Sequence, residues 1–412
     1  MPLDFPSSPV DGQVYDNWIY SSAKGAWLAK PLEPTTAVTS DTAPPNPIDG
    51  DMWYNTNDGT TYVWFDDGDS AQWVEMTAPI TANGYYSPNY IINGAFDINQ
   101  RGLTSTTSTG YGFDRWLNTF DGGTVTTSSQ TFTPGTAPSA DIEGRNYIRI
   151  VSSGQSAVTH YAAITNRIED VRTLAGKTVT VSFWARAASG SPKVGVTLQQ
   201  QFGTGGSGEA FSAAAPITIS TSWQRYSATV NVGSLAGKTI GANSFLGLWL
   251  MTSTGSTISG FGYTPIGIQN TSIDLWGVQL EEGSVATAFR RNSPNIQAEL
   301  AACQRYYWRQ TAEAVYGYFG TASAAASGTL ARPFIKYPVK MRTAPTAIEY
   351  GGTPSLLDGT SFYNATNITI DMASTETIAL SVTVASGLTQ HRGYYFLSNN
   401  STTTFIGLSA EL

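Results

Sequence analysis

The stretch KTVTVSFWARAA, residues 177–188, alternates apolar and polar side chains at every second position. This period of two is typical of a β-strand with one buried face. Five further stretches between residues 146 and 283 share the pattern and are separated by glycine- and serine-rich turns: NYIRIVSS, PKVGVTLQQQF, WQRYSATVNV, SFLGLWLM and IDLWGVQLEEG. Many such strands without intervening helices predict a two-sheet sandwich for the centre of the chain.

The composition agrees with an all-β protein built from several modules. Charged residues make up 13% of the chain, against about 25% in an average soluble domain. The 41 glycines favour short strands joined by tight turns. A length of 412 residues exceeds one ordinary hydrophobic core, so we expect modules in series.

Charge and residue counts exclude several classes of function. The balance of 22 basic and 30 acidic residues, with no basic run, argues against a nucleic-acid partner. One cysteine, Cys303, excludes an intrachain disulfide framework and is expected to be a small buried residue. Two histidines leave little for a zinc site. We see no signal peptide and no run of about 18 apolar residues, so we expect no membrane insertion.

The N-terminal region contains a degenerate repeat. SPVDGQVY (residues 8–15) returns as NPIDGDMW (residues 46–53), and an aromatic strand pattern follows each copy. The aromatic residues are Trp18, Tyr20 and Trp27 in the first copy and Tyr62, Trp64 and Trp73 in the second. We expect two small aromatic β repeats, residues 1–35 and 36–80, with tight turns at SSAKG and DDGDS. The proline-rich EPTTAVTSDTAPPNP between them predicts a stiff, extended connector.

A helix is predicted at the start of the C-terminal region. In SPNIQAELAACQRYYWRQ (residues 293–310), Ser293 could cap a helix over residues 294–308, with Pro294 at its first position. The apolar residues recur at steps of three and four: Ile296, Leu300, Cys303 and Tyr307. Strands such as NITIDMA follow. We therefore expect one β-sandwich over residues 81–292 and a helix plus a C-terminal β-sandwich over residues 293–412.

Five motifs occur in a fixed order across about 220 residues: NGAFDINQRG (93–102), GFDRW (112–116), VSFWARA (181–187), WGVQLEEGSVATAFRR (276–291) and AELAACQRYYWR (298–309). Together they resemble a module of tail-fibre and receptor-binding proteins of tailed bacteriophages. That module is similar to the carbohydrate-binding jelly rolls attached to many glycoside hydrolases. The N-terminal repeats resemble attachment segments of phage structural proteins.

The resemblance implies a non-enzymatic virion component in the phage tail. Residues 1–80 would attach it to tail or baseplate proteins. Residues 81–292 would form a jelly roll similar to carbohydrate-binding modules, which acts as a spacer or as a lectin-like module. A distal C-terminal sandwich would bind a host cell-surface polysaccharide. It also implies a homotrimer that is made in the host cytoplasm. Two alternatives stay open: a tailspike that depolymerises a glycan, and a purely structural connector of the tail or baseplate. Jelly rolls serve all of these roles.

The adjacent Glu281 and Glu282 raise the question of catalysis. Strict alternation places Leu275, Gly277, Gln279 and Glu281 on one face of the strand and Asp274, Trp276, Val278 and Leu280 on the other. The two glutamates then face opposite sides, whereas a glycosidase needs two carboxyl groups in one cleft. We interpret the stretch as the last strand of the jelly roll, with Arg290 and Arg291 tethering its exit.

Sugar-binding sites need exposed aromatic faces and a few polar groups. Trp184 and Trp249 lie in strongly apolar strands and are expected to be buried. The better candidates lie in polar or glycine-rich surroundings. They are His160, Tyr161, the stretch from Gln199 through Gln200 to Phe202, and Tyr263, and, in a predicted loop, His391, Arg392, Tyr394 and Tyr395. Ordinary surface or subunit contact is the alternative for each of them.

One metal site is implied by the resemblance, and no other cofactor is expected. Carbohydrate-binding jelly rolls often share a structural calcium between an early acidic residue and an aspartate of the last strand, which here are Asp97 and Asp274. Carboxylate oxygens suit calcium. The alternative is that Asp97 caps a turn and Asp274 is solvated.

Overall fold

The computed structural model describes residues 6–15, 18–29, 37–57, 59–66, 68, 70–75, 88–139 and 142–412, with the backbone alone at residues 15, 29, 37 and 323–326. The chain divides into two compact units, Met1–Tyr86 and Ser87–Leu412. The described residues form 29 strands and two short helices, which confirms the all-β class. None of these helices is long and apolar enough to cross a membrane. The predicted module boundaries at residues 35, 80 and 292 stay predictions.

The N-terminal unit contains two small sheets. The first has the order β1 (Val14–Tyr15), β2 (Trp18–Ser21) and β3 (Ala26–Ala29). The second has the order β4 (Ala37–Ser40), β5 (Met52–Asn55), β6 (Thr60–Asp66) and β7 (Ala71–Glu75), with β4 parallel to β5. β4 lies within the predicted proline-rich connector and pairs with β5, so part of that connector is a strand. Residues 33–36 of that connector, and residues 67 and 69 of the second predicted turn, lie outside the described residues.

The two repeats share one hydrogen-bond pattern. In each, a turn glycine donates its N–H at 2.9 Å to the carbonyl of an aromatic residue in the central strand: Gly12 to Tyr20, and Gly50 to Trp64. The aspartate before each glycine accepts a backbone N–H from the residue two positions after that aromatic residue: Asp11 from Ser22, and Asp49 from Asp66. Each aromatic residue also packs against a tryptophan, with ring centroids 5.4 Å apart: Tyr20 with Trp27, and Trp64 with Trp73. These shared contacts confirm two aromatic β repeats.

The centre of the second unit is a jelly roll of two antiparallel sheets. The front sheet has the order β16 (Ala210–Ala213), β15 (Lys193–Gln201), β19 (Phe245–Thr254), β13 (Tyr161–Glu169), β10 (Trp116–Asp121) and β9 (Gly110–Phe113), and β17 (Ile217–Thr218) also pairs with β15. The back sheet has the order β18 (Gln224–Asn231), β14 (Thr178–Ala187), β20 (Thr271–Glu282), β12 (Asn146–Ser153), β11 (Thr124–Thr131) and β8 (Ser105–Thr106). A short helix, α1 (Ser256–Gly260), follows β19.

The predicted alternation of β14 is confirmed. Val179, Val181, Phe183 and Ala185 are fully buried in the core between the two sheets, together with alternate residues of the neighbouring strands. One face of each strand therefore supplies the core, and the other face is left for surface contacts.

The last jelly-roll strand does not alternate strictly. Its register against β14 shifts between Ser182 and Trp184, and Gly277 takes a left-handed φ of 62° at the resulting bulge. The extra residue at this bulge moves every following side chain to the opposite face of the sheet. The predicted faces of β20 are therefore wrong beyond Gly277. Leu275 lies in the core with Val278 and Leu280. Asp274, Trp276, Gln279 and Glu281 instead pair with the outward residues of β14, namely Arg186, Trp184, Ser182 and Thr180.

The C-terminal region is a closed barrel with a small sheet. Its elements are α2 (Ile296–Gln304), β21 (Tyr307–Thr311), β22 (Tyr318–Ser327), β23 (Leu330–Lys336), β24 (Ala347–Gly351), β25 (Pro354–Leu357), β26 (Phe362–Ala373), β27 (Thr377–Val384), β28 (Gly393–Ser398) and β29 (Phe405–Ser409). The barrel has the order β22, β23, β27, β26, β25, β28, and the sheet has the order β21, β29, β24. One apolar core contains side chains of both. The C-terminal β region expected from the sequence thus takes the form of a barrel and a sheet.

The predicted helix over residues 294–308 is shorter than expected. Asn295 is the N-cap, since its side chain accepts from the Ala298 N–H at 2.9 Å. Ser293 instead donates its N–H to the buried Glu299 at 2.9 Å. The helix ends at Gln304, and Tyr307 begins β21, so the predicted apolar stripe does not continue. Cys303 is fully buried, as expected.

Three of the five motifs of the resemblance meet in buried contacts. Arg115 of GFDRW forms an ion pair with Glu411, and its guanidinium lies 3.5 Å from the ring centroid of Tyr306 of CQRYYWR. Arg101 of NGAFDINQRG stacks in the same way on Tyr307, also at 3.5 Å. These charged and aromatic groups join the jelly roll to the C-terminal region within the second unit.

Candidate functional site

The outer face of the front sheet carries a cluster of aromatic side chains. Alternation along β13 turns Ala162 and Ile164 into the core and Tyr161 outward, and Trp249 of β19 also faces outward. The ring of Tyr263 packs on Trp249 at 5.0 Å and on Phe211 at 4.6 Å. A cluster of rings outside the main core is the kind of surface on which a ligand can stack.

A pocket of about 240 Å³ opens beside this cluster. Its walls are Tyr161, Glu209, Ile258, Phe261 and Tyr263. Among these residues, Phe261 is 63% exposed. The pocket therefore offers three aromatic rings, one aliphatic side chain and one carboxylate to a ligand.

The loop after β19 supplies most of the pocket and is anchored by Thr264. The Thr264 N–H donates to the Thr197 hydroxyl at 3.0 Å, and the Thr264 hydroxyl donates to the Val196 carbonyl at 2.8 Å. A Cβ at Gly195 would lie 2.8 Å from the Thr264 Cβ, so a side chain there would push the loop away. The loop can fold back over the sheet because position 195 is a glycine.

Hydrogen bonds fix the carboxylate of the pocket. The Trp249 indole donates to Gln199 Oε1 at 2.9 Å, and Gln199 Nε2 donates to Glu209 Oε2 at 2.6 Å. Burial raises the pKa of Tyr263 well above its usual range, and the nearby Glu209 raises it further. The Tyr263 hydroxyl therefore stays protonated and available as a donor, next to a carboxylate that accepts. This combination can hold a polyhydroxylated ligand.

Two of the predicted contact residues, Tyr161 and Tyr263, line this pocket. The neighbouring His160 is half-buried and does not line it. Its Nδ1 accepts the Ser156 N–H at 3.2 Å, and its ring lies where a Cβ of Gly122 would be. His160 thus stabilises the loop before β13.

Three other predicted contact residues lie where they have little surface to offer. Phe202 is fully buried, and Gln200 is buried with its amide donating to the Gly233 carbonyl at 3.0 Å. Tyr394 is buried in the barrel core. Their strand neighbours Gln199 and Tyr395 lie on the outer faces instead: Gln199 is buried but bonds to Trp249 and Glu209, and Tyr395 is exposed.

The remaining candidates lie on the barrel. His391 is an exposed turn residue with φ 65°, and Arg392 forms an ion pair with Asp358 at 3.3 Å. Tyr395 is exposed and packs edge-on against Tyr318, with ring centroids 5.4 Å apart. A sugar contact at these three residues stays a prediction.

The sequence did not single out Glu209, Ile258 and Phe261. Glu209 follows the glycine-rich GTGGSG, and Phe261 lies between two glycines in SGFGYTP. A single aromatic or charged residue next to glycines is typical of a loop, and loops often carry binding residues. Trp249 was expected to be buried, and the structure confirms this. Trp184 was also expected to be buried but is only half-buried, because it lies on the outward face of β14.

Glu281 and Glu282 have separate structural contacts. The Glu281 carboxylate accepts the Thr287 N–H at 2.9 Å and the Thr287 hydroxyl at 2.6 Å, which holds the exit segment against the sheet. Glu282 pairs with Lys177 at 2.9 Å on the surface. These contacts support the interpretation of the strand that ends at Glu282 as the last strand of the jelly roll.

The two predicted calcium ligands are both paired with arginines. Asp274 is buried between Arg149 at 2.6 Å and Arg186 at 2.9 Å, and Asp97 pairs with Arg291 at 2.8 Å. Among the described residues, no group of three or more His, Cys, Asp or Glu side chains could hold a metal ion.

Guanidinium groups already neutralise these carboxylates, so this arrangement does not favour calcium. Calcium binding stays a prediction. Metal analysis of protein purified in calcium-containing buffer, with melting curves before and after chelation, decides it. Bound calcium and a lower melting temperature after chelation would support it, and absence of both would refute it.

No family model matches the sequence, and no curated protein matches it closely enough to count as a relative. Several carbohydrate-binding modules with solved structures are similar to parts of this chain. The CBM22-1–GH10 region of Clostridium thermocellum xylanase 10B, complexed with xylohexaose, has 9% identity and a TM-score of 0.28, over 48% of this chain and 28% of that one. The CBM22-1 xylan-binding domain of Paenibacillus barcinonensis Xyn10C has 12% identity and a TM-score of 0.27, over 49% and 95%. A family 11 module of Clostridium thermocellum, in complex with a β-1,3-1,4-mixed-linked tetrasaccharide, has 11% identity and a TM-score of 0.27, over 45% and 99%. At these values the likeness carries no information on what the present chain binds.

Proposed function

We propose that this protein binds a glycan in the pocket on the front sheet. The observation that carries the proposal is the combination of three pocket rings, of which Phe261 is exposed, with a carboxylate held by the bonds from Trp249 through Gln199 to Glu209. Sugars present C–H faces that stack on rings and hydroxyl groups that donate to carboxylates. The pocket supplies both kinds of partner within one cavity.

The dimensions and charge of the pocket narrow the ligand. A volume of about 240 Å³ is below the roughly 300–1,000 Å³ of sites for drug-sized ligands. It suits one sugar ring, with the adjoining rings of the chain left in solvent. The carboxylate of Glu209 would repel an acidic sugar at short range, so the proposed ligand is a neutral sugar unit.

In the proposed biological role, the protein is a tail fibre of a tailed bacteriophage that recognises a host surface polysaccharide. The ordered motifs from NGAFDINQRG to CQRYYWR support this role. Residues 1–80 attach the protein to the tail or baseplate. We propose a homotrimer, since shallow sugar sites gain greatly from multivalent display. Light scattering of the full chain tests the trimer, and a stable monomer at micromolar concentration would contradict it.

A glycan array probed with the full chain tests the proposed binding. The wild type and the Tyr316→Ala variant should bind the same neutral glycan, because Tyr316 is an exposed tyrosine outside the pocket. The Tyr263→Ala variant should lose that binding. Equal binding by all three proteins would refute the pocket. New reducing ends after incubation with the bound polysaccharide would instead favour a depolymerase.

A further inference from the structure

The outer face of the back sheet carries two arginines that share one carboxylate. Strand pairing places Arg149 of β12 and Arg186 of β14 on either side of Asp274 of β20. Arg149 donates from Nε and Nη2 to the two carboxylate oxygens at 2.6 and 3.0 Å, and Arg186 donates from Nε at 2.9 Å. The aspartate side chain is 5% exposed, whereas the two arginine side chains are 36% and 35% exposed. The carboxylate is therefore inside, and part of each arginine is at the surface.

One carboxylate cannot neutralise two guanidinium groups. The ion pair of Arg291 with Asp97, in the same unit, joins one base to one acid. The group around Asp274 instead retains one positive charge, although the whole protein has a net charge of −8. Among the described residues, no group accepts a hydrogen bond from Nη1 of Arg149 or of Arg186. These N–H groups are free to bind an anion.

A purely structural role accounts for one of the arginines but not for both. Backbone pairing already joins β12, β20 and β14. A buried carboxylate needs a partner, and a single arginine is enough to neutralise Asp274. The second guanidinium group adds a positive charge that the pairing of the strands does not require.

The neighbours of the two arginines suit a sugar ring. On one side, Trp223 is half-buried, and its ring centroid lies 5.0 Å from the guanidinium of Arg186. On the other side, Ser128 of β11 is half-buried and lies directly opposite Arg149, so the two side chains share a face. The serine oxygen accepts from the Gln130 amide at 3.0 Å, which leaves its O–H to donate to a ligand. We call this set the arginine row: Trp223, Arg186, Asp274, Arg149 and Ser128.

We propose that the arginine row binds the carboxylate of a uronate, an acidic sugar unit of a polysaccharide. Guanidinium groups bind carboxylates through directed N–H donors, and Asp274 holds both of them in place in the free protein. Trp223 contacts the sugar ring, and Ser128 bonds to one of its hydroxyl groups. The row lies on the back sheet, whereas the proposed neutral-sugar pocket lies on the front sheet and contains Glu209, which repels acidic sugars. The inference therefore goes beyond that pocket and does not rest on it.

The test titrates the full chain with a trimer of galacturonate and with the methyl ester of the same trimer, which carries no charge. In calorimetry, the wild type should bind the acid and not the ester. Ser128→Asp places a competing carboxylate opposite Arg149 and should weaken binding of the acid at least about tenfold. Ser128→Asn has nearly the same shape without the charge, so it is the matched control and should bind as the wild type does.

A second variant removes one of the arginines without leaving the aspartate unpaired. In Arg149→Gln, Arg186 still pairs with Asp274, so the variant should fold, and its binding of the acid should fall at least about tenfold. Arg172→Gln makes the same change of charge at an exposed ion pair outside the row and should bind normally. Wild-type affinity in both Ser128→Asp and Arg149→Gln would refute the arginine row, as would a wild type that does not bind the acid.

Two further titrations separate the possible ligands and sites. If inorganic phosphate binds as tightly as the acid and Ser128→Asp abolishes this, the row is a general anion site, which refutes the sugar. Tyr263→Ala, which removes a ring of the front pocket, should leave binding of the acid unchanged. Loss of acid binding in Tyr263→Ala would place the acid in the front pocket and refute the row. A front pocket that fails its own test, with acid binding still lost in Ser128→Asp, would leave the row supported.

Discussion

The indole N–H of Trp249 donates to the Gln199 side chain at 2.9 Å, and this amide in turn donates to the Glu209 carboxylate at 2.6 Å. Trp249 is buried on the outer face of the sheet against the ring of Tyr263, and Glu209 lines the pocket. Each bond orients the next group, so the carboxylate is positioned before any ligand arrives. Such preorganisation lowers the entropy lost on binding.

Replacing Glu209 by glutamine tests the role of the charge. The variant keeps the shape of the side chain but loses charge-assisted hydrogen bonds to sugar hydroxyls, each worth about 1.5–3 kcal/mol. We expect at least about tenfold weaker binding of the neutral glycan and a smaller discrimination against acidic glycans. Titration calorimetry measures both. Glu376→Gln, at an exposed glutamate of the C-terminal region, is the control and should bind normally.

Removing the Phe261 ring should reduce affinity without reducing stability. The ring is 63% exposed, so its truncation should change the free energy of unfolding by no more than about 0.5 kcal/mol. Loss of a stacking ring should cost more than about 1 kcal/mol of binding free energy. Titration of Phe261→Ala with the glycan, alongside a denaturant melt, provides both values. Unchanged affinity would place the ligand elsewhere.

The ion pair between Arg115 and Glu411 should be critical for the stability of the second unit. Both side chains are buried, and the guanidinium also donates to the Arg167 carbonyl. Arg115→Met leaves a buried carboxylate unpaired, which typically costs about 3–5 kcal/mol. Arg172→Met, which breaks the exposed pair with Asp170, should cost at most about 1 kcal/mol. Urea unfolding of the two variants measures the difference, and equal midpoints would contradict this role.

Gly277 should resist substitution because of its backbone. Its φ of 62° is left-handed, and an added Cβ would lie 3.1 Å from Cε3 of Trp184. Gly277→Ala should therefore destabilise the protein by about 1–3 kcal/mol. Gly393→Ala has open space around the Cβ and should be close to neutral. Thermal melts compare the two, and a neutral Gly277→Ala would mean that the bulge is not required.

Cys303 should be unreactive in the native protein. Burial raises the pKa of its thiol well above the ordinary value, and the carboxylates of Asp114 and Glu299 raise it further. A raised pKa lowers the thiolate fraction at every pH below it, so an aromatic disulfide reagent should not react at about pH 8, near the pKa of a free thiol. Reaction should become fast in denaturant. Rapid reaction without denaturant would show that α2 opens in the native state.

Much of the fold could be predicted from the sequence because its strands have one buried face. The alternation of Val179, Val181 and Phe183 identifies β14 and its core side directly. The repeat at residues 8–15 and 46–53 predicts two equivalent units, and their hydrogen bonds confirm it. The bulge at Gly277 could not be predicted, because a single extra residue changes the faces without changing the composition of the strand.

The pocket was only partly predictable, for a related reason. Tyr161 and Tyr263 were recognised as aromatic residues in polar surroundings, but Glu209 joins them only through the pairing of β15 with β16. Phe202 is also an aromatic residue in polar surroundings, yet it is fully buried. Composition identifies candidates, whereas the register of long-range strand pairs decides which of them reach the surface.

The most direct test of glycan binding is to locate the ligand on the protein by NMR. The indole N–H of Trp249 and the side-chain amide of Gln199 can be followed while the full chain is titrated with the glycan found on the array. Saturable shifts of both signals, absent in Tyr263→Ala, are the expected result. Binding with neither signal shifted, or with shifts confined to Tyr318 and Tyr395 of the barrel, would contradict the pocket as the binding site.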